Sequence, residues 1–144
     1  MQVVLVHHAD AVGPDVDPQR PLSPRGLAQA GALADAARAV GVRPDAIWHS
    51  GKLRARQTAE FFLRACNPMA EFRMVRGLLP DDPPEWMRDE LAHETRAVLL
   101  AGHMPHISRL LSVLAPDAAS FPAHGAVALV RGADAEWKEA WRGE

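Results

Sequence analysis

Cysteine is nearly absent from this chain of 144 residues, since Cys66 is the only one. A single cysteine excludes a disulfide within the chain and fits a reducing compartment. No stretch approaches the ~20 consecutive apolar residues of a membrane span. The first residues also lack the basic, apolar and small-residue pattern of a signal peptide. We therefore expect a cytoplasmic protein that does not act on a membrane.

An excess of positive charge is also lacking. The 16 lysines and arginines against 18 acidic residues give a net charge of -2. Such a balance provides no broad basic surface for nucleic acid, so an anion site must be a local cluster of arginine and histidine. There are no internal repeats or low-complexity tracts, and the length is typical of one domain covering residues 1–144.

Short apolar runs alternate with helical stripes along the chain. The pattern predicts strands at 3–6, 46–49, 71–75 and 97–101, and helices at 24–40, 52–65, 85–93 and 105–114. Two further strands, 126–130 and 136–141, are joined by a tight turn. Alternating strands and helices are typical of a parallel sheet, whereas the tight turn predicts an antiparallel edge. We expect an α/β fold, a three-layer sandwich with a mostly parallel central sheet and helices on both faces.

Polar residues follow three of the predicted strands. His7 and His8 end the first strand, Ser50 follows the second and His103 follows the fourth. Open α/β sheets bind ligands at the carboxyl ends of their strands, and the N-termini of the following helices attract anions. Arg54 lies on such a first turn, where a cation is unfavourable without an anion. These residues together predict a phosphate site, although His7 and His8 taken alone are more typical of an ordinary strand end.

Four short motifs occur in a fixed order. They are LVHHAD at 5–10, RPLSPRG at 20–26, SGKLRARQTA at 50–59 and GHMP at 102–105. Each motif is weak alone. Together they span nearly the whole chain and resemble the histidine phosphatase superfamily, also called the phosphoglycerate mutase-like group, and in particular its small SixA-type phosphohistidine phosphatases.

The resemblance implies roles for individual residues. His8 resembles the family's nucleophile, which forms a covalent phosphohistidine that water then hydrolyses. Arg54 resembles the phosphate clamp, with Arg20 as a further phosphate-facing arginine and Ser50 in the phosphate-binding set. His103 resembles the second histidine, which stabilises charge on the transferred group. The resemblance implies a phosphoglycerate mutase-like fold and neither a metal nor an organic cofactor.

His7 departs from the family pattern, because it stands where the family has its first arginine. Histidine offers fewer donors than arginine and is only partly protonated at neutral pH. Losing one charge-assisted hydrogen bond costs roughly 1.5–3 kcal/mol, or about ten- to a hundredfold in rate. We expect phosphate to favour a protonated His7, with partial compensation by Arg20, and activity to fall from pH 6 to pH 8.

The general acid is not determined by the sequence. Asp81, Asp82 and Glu85 lie where relatives place a carboxylate, but proline and acid there are also typical of a solvated turn. A phosphohistidine substrate would relax the need for an acid, because its leaving imidazole can be protonated near neutral pH.

Three other histidines and Arg56 are expected to lie outside the site. We expect His49, His106 and His124 to be structural or solvent-exposed, and Arg56 to be a surface charge. A metal held by the histidines 7, 8, 49 and 103 is disfavoured, because neighbours on a strand point to opposite faces.

The resemblance and the short chain, which leaves little room for a lid, favour one function. We expect a phosphatase that acts through a phosphohistidine intermediate on phosphohistidine in a signalling protein, for example a histidine-phosphotransfer protein. Two alternatives remain open: a non-catalytic phosphate- or phosphoprotein-binding module, and a phosphatase for a small phosphorylated metabolite. A mutase is the least favoured, because it needs an enclosed site.

Overall fold

The computed structural model describes residues 1–144 and contains six strands and four helices. In chain order they are β1 (Gln2–His7), α1 (Pro24–Ala39), β2 (Ala46–His49), α2 (Leu53–Cys66), β3 (Glu71–Met74), α3 (Pro84–His93), β4 (Val98–Gly102), α4 (His106–Leu114), β5 (Ala126–Arg131) and β6 (Trp137–Gly143). All the predicted elements are present, and their ends differ from the prediction by a few residues.

The six strands form one sheet in the order β3-β2-β4-β1-β5-β6. The first four are parallel neighbours, whereas β5 is antiparallel to β1 and β6 is antiparallel to β5. The predicted mostly parallel sheet with an antiparallel edge is therefore confirmed. One consequence governs the site: the carboxyl ends of β1, β2 and β4 share an edge with the beginning of β5.

Helices cover both faces of the sheet, as predicted. Side chains along β1 alternate, so Val3 and Leu5 join a cluster of 17 buried residues on the side of α3 and α4. Val4 and Val6 join a cluster of 14 on the side of α1 and α2. Burying each such side chain stabilises the fold by about 1.5–3 kcal/mol. None of the helices is long and apolar enough to cross a membrane.

The long connection between β1 and α1 is held at both of its ends. The Ser23 side chain accepts from the N–H of Gly26 to cap α1, and it donates to the Asp10 carboxylate at 2.6 Å. Pro24 occupies the first turn, where its missing N–H is harmless. The start of α1 is thereby tied to the residues that directly follow His8.

Candidate active site

Four imidazole rings meet at the carboxyl edge of the sheet. The ring centroid of His8 lies 4.6 Å from that of His7 and 5.1 Å from that of His103. The ring of His124 stacks on His7 at 4.6 Å with an interplanar angle of 11°. The strand ends that carry His7, His8 and His103 therefore meet at this edge. His124 is a fourth histidine that was not expected there.

The ring of His8 has a defined tautomer. Its Nδ1 lies 2.7 Å from the carbonyl oxygen of Ala9, and a carbonyl can only accept, so Nδ1 carries the proton. The lone pair is therefore on Nε2, which makes no hydrogen bond within the protein and is not enclosed. Burial, together with the charges of Arg54 and Arg20 and despite the Ala9 carbonyl, lowers the pKa of His8 to about 4. A neutral, oriented imidazole of this kind is a suitable nucleophile.

Two arginines near His8 have no anionic partner. Arg54 projects from the first turn of α2, and its side chain forms neither a hydrogen bond nor an ion pair within the protein. Its pKa is lowered by burial and then by the charge of Arg20. The guanidinium of Arg20 donates only to the carbonyl of Val12, and this residue adopts a positive φ of 50°. This strained backbone is of the kind that clusters at ligand sites.

The beginning of α2 adds further donors. The backbone N–H groups of Leu53 and Arg54 have no partner within the protein. Unpaired N–H groups at a helix start, together with two unneutralised guanidinium groups, make a site for a tetrahedral oxyanion. The predicted phosphate-binding character of this edge therefore has a physical basis in uncompensated donors and charge.

His103 is paired with Ser50. The Ser50 hydroxyl lies 2.6 Å from Nε2 of His103 and also accepts from the N–H of Lys52 at 3.3 Å. Nδ1 of His103 is buried without a partner. Burial, followed by the charges of His8 and Arg54, lowers the pKa of His103 to about 3. In this arrangement Ser50 orients His103, and both remain predicted contacts of the phosphoryl group.

The ring of His7 is neutral in this structure, and the expectation that phosphate favours its protonated form stays a prediction. Nδ1 of His7 accepts from the backbone N–H of His124 at 2.7 Å, so the single ring proton is on Nε2. Burial, then repulsion from His8, His124 and Arg54, lowers the pKa of His7 to about 3. His7 is therefore neutral in this structure, and a loss of activity from pH 6 to pH 8 would require bound phosphate to raise this pKa. It remains a predicted phosphate contact through one neutral N–H.

His124 is the site residue that sequence reasoning missed. It lies two residues before β5, and β5 runs antiparallel to β1 with Ala126 opposite Val6. This register places His124 beside His7 and His8, where its Nδ1 donates to the carbonyl of His8 at 2.7 Å. The sequence signal was a histidine two residues before a buried strand. This signal points to the site only once β5 is known to be the neighbour of β1.

The three candidate acids make no bond to the histidines of the site. Asp82 accepts from the N–H of Leu79 in the turn before α3, while Asp81 and Glu85 are exposed. None of the three forms a hydrogen bond or an ion pair with the histidines or Arg54. No carboxylate contributes to the pKa shifts of His8 or His103. The general acid therefore stays a prediction without a contact to support it.

The strand-alternation argument against a histidine metal site is wrong for His7 and His8. β1 ends at His7, so the alternation does not extend to His8, and one ring nitrogen from each of His7, His8 and His124 lies within 4.8 Å of the others.

The buried ring of His49 instead accepts from the N–H of Gly51 and packs on Phe72. Arg56 is exposed and pairs with Glu60.

The polar residues of α2 fasten the loop that follows His8. Thr58 accepts from the N–H of Ala9 at 3.0 Å, and Gln57 accepts from the N–H of Leu22 at 2.8 Å. Gln29 of α1 accepts from the N–H of Asp10 at 2.9 Å. These contacts explain the Gln-Thr-Ala motif physically, because it holds the backbone at both ends of the connection between β1 and α1.

Comparisons with known proteins find one family and several similar folds. Residues 6–79 match the model of the histidine phosphatase superfamily, branch 1. The structure resembles the protein histidine phosphatase SixA complexed with tungstate, with a TM-score of 0.87 and 22% identity over 100% of this chain and 97% of that one. It also resembles a protein described as a phosphohistidine phosphatase SixA from Nakamurella multipartitia, with a TM-score of 0.75 and 26% identity over 99% and 95% of the two chains.

A third similar structure is the phosphoserine phosphatase from Entamoeba histolytica in complex with 3-phosphoglyceric acid. Its TM-score is 0.73, with 13% identity over 99% of this chain and 96% of that chain. No curated protein matches the sequence. The family match covers more than half of the chain and includes His8, Arg20 and Arg54, and the chain belongs to the histidine phosphatase superfamily.

Proposed function

We propose that this protein is a phosphohistidine phosphatase that acts on a phosphorylated protein through a covalent intermediate on His8. One observation carries the proposal: Nε2 of His8 presents a free lone pair beside two guanidinium groups, Arg20 and Arg54, that have no anionic partner. A nucleophile next to uncompensated positive charge is the arrangement that phosphoryl transfer requires.

The chemistry follows from this arrangement in two displacements. Nε2 of His8 attacks phosphorus, and the P–N bond of the substrate breaks as its imidazole leaves with a proton. Arg54 and Arg20 stabilise the negative charge on the phosphoryl oxygens throughout. Water then attacks the phosphorus of the intermediate and the P–Nε2 bond breaks, which releases inorganic phosphate and restores neutral His8.

The substrate class is supported by what surrounds the nucleophile. No carboxylate bonds to the site, and a leaving imidazole can be protonated from water near neutral pH, whereas an alkoxide needs a positioned acid. Two cavities of about 890 and 470 Å³ lie elsewhere and include none of the site residues. The half-buried ring of His8 suits a side chain on a protein as substrate, and two of the similar structures are named as SixA phosphatases.

One observation favours a second function, a phosphate-binding module without turnover. His7 supplies one neutral N–H where the family has a charged guanidinium. The lost charge-assisted bond is worth roughly 1.5–3 kcal/mol in the transition state, which slows the reaction without preventing phosphate binding.

A single-turnover assay with a phosphohistidine peptide tests the proposal. The native protein should release inorganic phosphate and should form an acid-labile phosphoenzyme, and both should be absent in His8→Ala. Arg54→Ala should lower kcat/KM on the order of a hundredfold or more, because two charge-assisted bonds are lost. Arg56→Ala is the matched control, since this exposed arginine lies on the same helix and pairs only with Glu60.

Three outcomes would change the proposal. Phosphate binding without turnover would favour the binding module. Faster turnover of a small phosphorylated hydroxy acid than of the peptide would favour a metabolite phosphatase, the class of the Entamoeba histolytica relative. Full activity in His8→Ala would overturn the assignment of the nucleophile.

A further inference from the structure

His7, His8 and His124 form a cluster whose ligating nitrogens are close enough for one metal ion. One ring nitrogen from each lies within 4.8 Å of the other two. Tetrahedral zinc with bonds of about 2.0–2.1 Å needs its nitrogens roughly 3.4 Å apart, so side-chain rotations must bring these nitrogens closer by up to about 1.4 Å. Imidazole nitrogen is a preferred ligand of zinc and of its neighbours in the first transition row.

Two of the three rings already have the tautomer that a metal requires. Nδ1 of His8 donates to the carbonyl of Ala9, and Nδ1 of His124 donates to the carbonyl of His8, each at 2.7 Å. Both rings therefore present an unprotonated Nε2 and are oriented by a backbone carbonyl. Metal-bound histidines are usually oriented in this way by a hydrogen bond from their second nitrogen.

His7 is the third and weaker ligand. Its Nδ1 accepts from the N–H of His124, and its ring is stacked nearly parallel to that of His124. To bind a metal through Nε2, His7 must move its proton to Nδ1, give up this hydrogen bond and rotate out of the stack. The rings of His8 and His124 cross at 59°, and they need no change of tautomer.

We propose that His8 and His124, with His7 as third ligand, bind a divalent transition metal of the zinc type, and that the bound metal inhibits the enzyme. The ion would occupy Nε2 of His8, the lone pair that attacks phosphorus. Metal binding does not depend on the proposed phosphatase function, whereas the inhibition rests on it. Because Arg20 and Arg54 lie near and repel a dication, we expect affinity below that of a four-ligand structural zinc site.

Titration of the protein with zinc chloride in a calorimeter tests the binding. The native protein should take up one zinc ion per chain, and cobalt should give a visible d–d absorption band at the same stoichiometry. His124→Ala and the bulkier His124→Gln should each weaken zinc binding ~10-fold or more, since even outer-shell changes have effects of this size. His93→Ala is the control, because His93 is exposed at the end of α3 and outside the cluster.

The activity arm is separate from the binding arm. Zinc should inhibit the native protein and His93→Ala at the concentration that saturates binding, and excess chelator should restore turnover. Equal zinc affinity in the native protein and both His124 variants would overturn the site. Saturable binding that leaves turnover unchanged would overturn the inhibition alone. Because the binding arm uses no substrate, a failure of the phosphatase proposal does not affect its result.

Discussion

At the scale of single residues, the imidazole of His7 brings no positive charge to the proposed phosphate site. Its one ring proton is on Nε2, and its other nitrogen is engaged by the backbone of His124. The ring therefore contributes a neutral donor to a site whose positive charge comes from Arg20 and Arg54. A guanidinium at this position would add a fixed charge and a fork of donors.

We predict that His7→Arg raises kcat/KM for a phosphohistidine peptide about tenfold or more at pH 7. The gain reflects one added charge-assisted bond of roughly 1.5–3 kcal/mol, reduced by the loss of the acceptor that the His124 N–H now uses. His7→Gln, which supplies a neutral donor, should stay within about threefold of the native value. A folded His7→Arg protein with unchanged kcat/KM and unchanged affinity for inorganic phosphate would contradict this role.

The site residues that could be predicted from the sequence are those whose position depends on residues nearby in the chain. His8 and His103 could be chosen because each directly follows a predictable strand, and Arg54 because it lies on the first turn of the helix after another such strand; these positions share one edge of the sheet. The tautomer and charge of His7 could not be predicted, since they depend on a hydrogen bond to a residue 117 positions away. For that reason the neutral His7 of this structure could not be foreseen.

At the scale of the elements, the approach of α1 to the loop after β1 depends on Gly26. A Cβ built on Gly26 would lie 1.9 Å from the carbonyl oxygen of Asp10, far inside van der Waals contact. The same loop is bonded by Gln29 of α1 and Thr58 of α2. The close packing of this helix therefore fixes the backbone that directly follows the nucleophile.

We predict that Gly26→Ala destabilises the protein by roughly 1–3 kcal/mol and lowers kcat, because α1 or residues 9–11 must move. Gly31→Ala in the same helix is the control, since its Cβ would meet only the ring of Phe61 at 3.7 Å. The control should be stabilised by up to about 1 kcal/mol through helix propensity. Denaturant unfolding and kcat measure both variants, and equal stability of the two would rule out the close approach.

The order of elements was predictable, but the order of strands within the sheet was not. Periodicity and turn residues place each strand and helix in the chain, since those signals are local. The pairing of β5 with β1 instead depends on which buried faces fit together across the whole core. Without that pairing His124 could not be assigned to the site.

At the scale of the whole molecule, buried histidines couple stability to pH. His7, His49, His103 and His106 are all buried, and burial is the first cause of the lowered pKa of each. In the unfolded chain a histidine pKa is about 6.5. Unfolded molecules therefore bind more protons below pH 6.5, and the free energy of unfolding decreases as the pH falls through that range.

The sharpest test of this coupling is His106, which lies in α4 with both ring nitrogens buried and unpartnered. We predict that His106→Leu raises the free energy of unfolding by roughly 1–3 kcal/mol at pH 7, because an unsatisfied buried N–H is removed. Below pH 6.5 the native protein loses up to about 1.4 kcal/mol more of its free energy of unfolding per pH unit at this residue, so the difference between the two proteins should widen.

Urea unfolding at pH 5, 6 and 7 measures this difference in the free energy of unfolding, with exposed His93→Gln as the control that should follow the native protein. A difference that stays constant with pH would show that His106 does not titrate on unfolding, and a less stable variant at every pH would show that its ring is needed for packing.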